Sequence, residues 1–267
     1  LRHVIQEIST YNRASAEVIG VSMRHLKRLF LAIVVVYLLP ALASAGWWAL
    51  GDHPKTWREA NWTASGVLPK ADGDREAAIY IMSANTGGFK GAVASHSWIV
   101  TKATGDTTYN RYDKVGWGAP VRRNNYAADA FWYSNTPHIV RSITGPEADR
   151  LVPKVAAAIQ SYPYSGVGDY RIYPGPNSNS FVAYVLRSLP DLGAVLPPDA
   201  VGRDFPTDGR MFEIDPDGRD MHATLYGLVG FAAGARSGFE VHFMGLVAGI
   251  DIANPGVKIP AIGRIGL

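Results

Sequence analysis

The alternation of apolar and polar positions divides the chain near residue 50. Before that point an uncharged stretch runs from Leu29 to Leu50, with Leu-Phe-Leu-Ala-Ile-Val-Val-Val-Tyr-Leu-Leu at its heart. Arg24, His25, Lys27 and Arg28 stand directly ahead of it. About 20 apolar residues span a bilayer, and basic flanks stay in the cytoplasm. Residues 29–50 therefore predict a signal peptide or one transmembrane helix, behind a basic cytoplasmic N-region at 1–28. Pro40 is expected to break the run. Ala43-Ser44-Ala45 has the small residues a signal peptidase needs before Gly46, whereas Trp47 and Trp48 suit the interfacial belt of a retained anchor. Either alternative places the rest of the chain outside the cytoplasm. Met23 opens a compact basic n-region and is a candidate start, with residues 1–22 as an upstream extension or a short cytoplasmic tail.

Residues 51–75 are polar and rich in turn formers, and read as a linker that packs its tryptophans on a globular domain at 76–267. That domain opens with strands at 77–82, 92–101, 107–117 and 141–144. A helix follows, with Pro146 and Glu147 in its first turn and Ala148, Leu151, Val152, Val155 and Ile159 at helical spacing. Pro153 falls inside the pattern and is expected to kink or delay it. Tyr170–Tyr173 reads as a short strand, and Ser180–Leu189 as a helix ended by Pro190. Phe239–Met244 alternates apolar and polar, as a half-buried strand does. Residues 256–267 read as coil or an edge strand. Strands, helix, strand, helix and strands in this order predict an α+β fold.

Composition narrows the chemistry. Of 267 residues 47% are hydrophobic, enough for a sizeable core, and the net charge is only +3 with no basic run beyond the N-terminal cluster. Nucleic-acid binding gains no support from that. The absence of cysteine excludes disulfides, zinc–thiolate sites and a cysteine nucleophile. No His, Asp or Glu pair has metal-ligand spacing, and Asp215-Pro-Asp217-Gly218 reads as a solvated turn, so no metal or cofactor is expected.

Among seven histidines, His96 is the one read as lying mid-strand among buried residues, in Ser95-His96-Ser97-Trp98. Downstream, Asn177, Ser178, Asn179 and Ser180 follow Gly175-Pro176 just where a helix starts. All four are good N-caps, but one cap suffices for one helix. A serine at a helix start, with a histidine to take its proton, is the other reading. On the strand 107–117, Arg111 and Asp113 share a face, and Asp113 is the carboxylate placed to orient His96. Arg111 would oppose a protonated imidazole and would suit an anionic ligand instead. Trp98, Tyr112 and Trp117 are candidate walls of a cleft.

"HSWIV" (96–100) followed by "PGPNSNSF" (174–181) resembles the permuted papain-like superfamily, in which the histidine precedes the nucleophile. NlpC-type proteins, PPPDE peptidases and lecithin retinol acyltransferase-like enzymes belong to it. The last two carry Asn-Cys-x-x-Phe at the nucleophile; Asn177-Ser178-Asn179-Ser180-Phe181 matches with serine at the cysteine position. This implies an antiparallel sheet packed on helices. "YRIYPGPNSNSFVAYVLR", "LPPDAVGRDF", "YDKVGWG" and "IPAIGRIGL" resemble, over nearly all of 40–267, the bacterial family known as domain of unknown function 3750, which implies no activity.

Two expectations follow. In one, a cell-envelope protein, membrane-anchored or released after signal cleavage, binds an envelope peptide, glycan or lipid group without turnover. In the other, it is a serine-dependent amidase, peptidase or acyl hydrolase, with Ser178 as nucleophile and His96 as base. A hydroxyl, unlike a thiol, is hardly ionised near neutrality and needs a strong base held in place.

Overall fold

The computed structural model describes residues 23–266. Residues 1–22, with the reading of them as an extension or tail, and Leu267 lie outside the described residues. Helix α1 (Met23–Ala49) contains an 18-residue stretch with a mean hydropathy of 2.3 and is long and apolar enough to cross a membrane. It runs through Pro40, against expectation. A π-helical stretch at Val34–Leu38 precedes the proline, with Leu39 N–H bonded to Val34 O, and Pro40 then falls in the first turn of the α-helix that resumes, where no N–H is needed. One stripe of α1 touches the protein. The Tyr37 hydroxyl donates to Val241 O at 2.8 Å, and the Ser44 hydroxyl donates to Ala92 O. In the turn-rich segment that follows, Trp62 packs edge-on to Trp132, while Trp57 stays exposed.

Strands β1 (Ala78–Asn85), β2 (Ser95–Lys102), β3 (Asn110–Lys114), β4 (Val121–Arg123) and β5 (His138–Thr144) form an antiparallel sheet in the order β4-β3-β2-β1-β5. β1 and β2 are buried almost throughout because both faces of the sheet are covered. On one face Ile79, Ile81 and Ile99 meet Leu151 and Val155 of α2 (Gly145–Gln160) and Phe181, Val182 and Val185 of α3 (Ser178–Ser188). On the other, Tyr80, Met82, Trp98 and Val100 pack with Leu68 and Trp132 from the flanking loops. Each such fully buried aliphatic or aromatic side chain contributes roughly 1.5–3 kcal/mol. α2 is continuous through Pro153. Residues 170–173 form no strand; they belong to an irregular loop leading into α3.

A second antiparallel sheet follows: β6 (Phe212–Ile214), β7 (Asp220–Leu225), β8 (Val229–Gly234), β9 (Gly238–Phe243), β10 (Leu246–Asp251), β11 (Gly256–Ile259) and β12 (Gly263–Gly266), each paired with the next. The sequence reading found β9 alone and left 256–267 as coil or edge. The turns are tight. Met244-Gly245 joins β9 to β10 with φ of 52° and 78°, the doubly positive geometry of a type I′ hairpin. The inner face of this sheet carries charge. Glu240, 1% exposed, pairs with Arg203, Lys258 and His242. Burial alone would raise its pKa, but Arg203, His242 and Lys258 hold the carboxyl well below the usual range. Asp215 is buried as well and pairs with Arg236 at 2.8 Å and His222 at 3.2 Å, so the turn read as solvated is anchored by its first residue. The molecule is α+β, with antiparallel sheets behind an N-terminal apolar helix.

Candidate functional site at the start of helix α3

Helix α3 begins on a complete capping box. Asn177 Oδ1 accepts from the backbone N–H of Asn179 (2.9 Å) and Ser180 (3.1 Å), and Ser180 Oγ accepts from Asn177 N–H (2.7 Å). Asn177 Nδ2 also donates to Ile172 O and Val201 O, both at 3.0 Å. Gly202 must be glycine for this: its φ is +92°, and a Cβ would stand 2.2 Å from Asn177 Nδ2. Asn179 Nδ2 donates to Ser95 O and Val201 O, both at 2.9 Å, tying the first turn of α3 to the first residue of β2. Three of the four small polar residues are thus used in capping and docking. Ser178 is left over. It is 3% exposed, and its hydroxyl faces that of Tyr170. Burial pushes the Tyr170 hydroxyl up to about 12, with Ser178 pulling the other way.

His96 is on β2, one residue past the Ser95 carbonyl that Asn179 holds. Its ring stacks on Trp132, centroids 3.7 Å apart and 5° from parallel. Asp113 of β3 lies beside it, with Oδ2 3.7 Å from His96 Nε2. That separation is beyond hydrogen-bond range, and Nε2 is buried with no partner. Asp113 is engaged elsewhere: Arg111 donates to Oδ2 at 3.2 Å, and Arg122 donates to Oδ2 at 3.1 Å and to Oδ1 at 3.3 Å. Burial would raise the Asp113 pKa, but His96 and the two guanidinium groups hold it well below the carboxylate range. For His96, burial pushes the imidazole down to about 4, with Asp113 opposing and both arginines assisting. His96 is therefore neutral at pH 7.

The structure gathers His96, Trp98, Arg111 and Asp113 on one face of the first sheet. Arg111 lies 4.1 Å over the Trp98 ring, and the Trp98 indole donates to Ala128 O at 2.8 Å. Trp98 and Arg111 are buried to 1% exposure or less. Tyr112 sits on the opposite face, against the α2–α3 core. Trp117 is half exposed in the β3–β4 loop, with Arg122 5.5 Å over its ring. Ser178 reaches this group through Tyr170, which feels the Asp113 charge. Among the described residues no hydrogen bond joins His96 to Ser178. A hollow beyond the far end of α3, lined by Leu186, Leu196, Phe205 and Phe231 and bordered by Asp215, contains none of the candidate catalytic or ligand-binding residues read from the sequence.

Residues 76–205 match the family described as protein of unknown function (DUF3750). This segment is a DUF3750 domain. No curated protein and no solved structure matches the chain. The DUF3750 match takes in β1–β5, α2, α3 and the loop to Phe205, hence every residue of the site; it ends before β6. It is narrower than the likeness read over 40–267. Within the DUF3750 segment, sequence reasoning missed Tyr170, Trp132 and Arg122. Tyr170 was placed in a strand. Trp132 lies in the aromatic run Phe131-Trp132-Tyr133, a signal that was there to be read. Asp199 was missed too; its carboxyl lies beside Ser95 and is raised by burial.

Proposed function

We propose that the DUF3750 domain is a binding module of the cell envelope, held at the membrane by α1, with a permuted papain-like arrangement that takes a peptide, glycan or lipid group at the start of α3 without turnover. The papain-like reading draws support from a helix N-terminus docked on the strand that carries His96, with the histidine ahead of the serine in sequence. The reading without turnover rests on one observation: Asp113 is spent on Arg111 and Arg122, leaving His96 Nε2 without a hydrogen bond. A serine hydroxyl needs a base whose pKa lies near the working pH and whose ring is held by a third group. An imidazole pushed down to about 4, held by its stack on Trp132 but with no hydrogen bond from Nε2 to a carboxylate, meets neither condition.

The hydrolase reading is favoured by one fact, the release of Ser178 from capping duty. A fluorophosphonate probe separates the two. The binding reading expects no labelling of the full chain at pH 7. Stoichiometric labelling that Ser178→Ala and His96→Ala each abolish would establish the serine hydrolase in its place.

A further inference from the structure

Sheet β6–β12 is built inside out. In a one-sided antiparallel sheet the apolar face ordinarily packs on the core and the polar face meets water. Here Leu225 opposes Val229, Val229 opposes Phe243, Ile250 opposes Phe239 and Val257, and Val257 opposes Ile265, so these side chains stand on one face. Every strand position on that face is apolar or glycine. It is also the open face: Leu225 is 54% exposed, Phe239 52%, Ile250 58% and Ile265 54%. The alternate positions carry the buried polar and charged residues, among them Asp220, Glu240, His242 and Lys258. Seven strands of about five residues make a surface about 29 Å by about 17 Å, on the order of 500 Å². A contiguous apolar patch of that size marks a contact surface.

Helix α1 shows what covers it. Tyr37 rests on the margin of the face, donating to Val241 O, with its ring 5.4 Å from that of Phe243. The side of α1 away from this stripe is bare, with Leu31 61% and Leu42 57% exposed. The helix and the sheet thus both expose apolar side chains and touch at Tyr37, and α1 is the segment with the length and hydropathy of a membrane span. We propose that the outer face of β6–β12 lies against the lipid bilayer beside α1. Its six-residue strands are shorter than the roughly 9–11 residues a spanning strand needs, so the sheet contacts one leaflet and does not cross. The exposed Arg24, Lys27 and Arg28 at the start of α1 suit lipid headgroups. The proposal rests on α1 being in a membrane and is independent of the ligand at α3.

A chain without cysteine makes the test direct. Single cysteines are introduced as Leu31→Cys on α1, Phe239→Cys and Ile250→Cys on the sheet, and Lys154→Cys on the exposed side of α2. Each carries an environment-sensitive fluorophore, and the full chain is placed in phosphatidylglycerol-containing vesicles with nitroxides on the acyl chains. The expected result is nitroxide quenching and loss of iodide quenching at 31, 239 and 250, with the reverse at 154. Nitroxide quenching at 31 alone, with 239 and 250 open to iodide, overturns the proposal while leaving α1 in the bilayer. Shielding of 239 and 250 from both quenchers, relieved by dilution of the protein in the membrane, overturns it in favour of a second copy. No nitroxide quenching at 31 removes the membrane reading altogether.

Discussion

Protonation of His96 should destabilise the domain, and the size of the effect follows from its surroundings. The imidazole is buried against Trp132, and burial drives its pKa from 6.5 down to about 4. A depressed histidine pKa means that the unfolded chain takes up the proton first. Stability is then fully present above pH 6.5 and is lost as pH falls through the window from 6.5 to 4. At 1.36 kcal/mol per unit the whole shift is worth about 3 kcal/mol, of which about 2 kcal/mol is gone by pH 4.5. Of the other groups, Asp199 is raised by burial, so it loses stability as pH rises above 3.8 and opposes the His96 effect equally in parent and variants; the rest act mainly outside this window. Asp113 and Glu240 have depressed pKa values, so their stabilisation holds above their unfolded values of 3.8 and 4.5 and is lost below them. His242 is raised, Asp204 and Glu240 outweighing burial, so its stabilisation holds below 6.5 and is lost as pH rises through the folded value. Urea unfolding of the full chain in detergent at pH 7 and pH 4.5 measures the loss. His96→Gln and His96→Phe should each flatten the pH dependence by about 2 kcal/mol relative to the parent, whatever their stability at pH 7. Parallel pH dependences in parent and both variants would refute a buried, neutral His96.

Asn177→Ala removes the α3 cap and the donor to the Ile172 carbonyl, while Val201 O keeps Asn179, and should cost roughly 2 kcal/mol in urea unfolding; Asn177→Asp, which keeps the cap and loses the amide donors, should recover part of it. Glu240→Gln leaves Arg203 and Lys258 without their shared carboxylate and should cost roughly 3–5 kcal/mol at pH 7, read by the same unfolding curves.

The first sheet and its helices were legible because burial on both faces writes an apolar run into the sequence, as in β1, and because Pro146 and Asn177 punctuate the helices. The second sheet was not, although turn signals recur at Asp217-Gly218, Tyr226-Gly227 and Met244-Gly245. Its alternation was readable in Phe239–Met244, but period alone does not say which face turns inward. There the polar residues do, held by buried ion pairs between residues far apart in sequence, such as Arg203 and Glu240. The pairing of Asp113 with Arg122 escaped for the same reason: β4 is three residues long, too short for a periodic signal. The pairing of β2 with β3 lies in the alternation, and it places Arg111 and Asp113 on the His96 side as read.

The central claim is that Ser178 sits at a helix start without a base behind it. Ser178→Cys supplies the only thiol in the chain, so its alkylation by iodoacetamide at pH 6 can be followed without background. A helix N-terminus alone lowers a thiol pKa to some degree, and a working imidazole lowers it much further. The account predicts that adding His96→Ala leaves the alkylation rate of Cys at 178 unchanged. A fall of about tenfold, one pKa unit of lost thiolate, would contradict it and restore His96 and Ser178 as a catalytic pair.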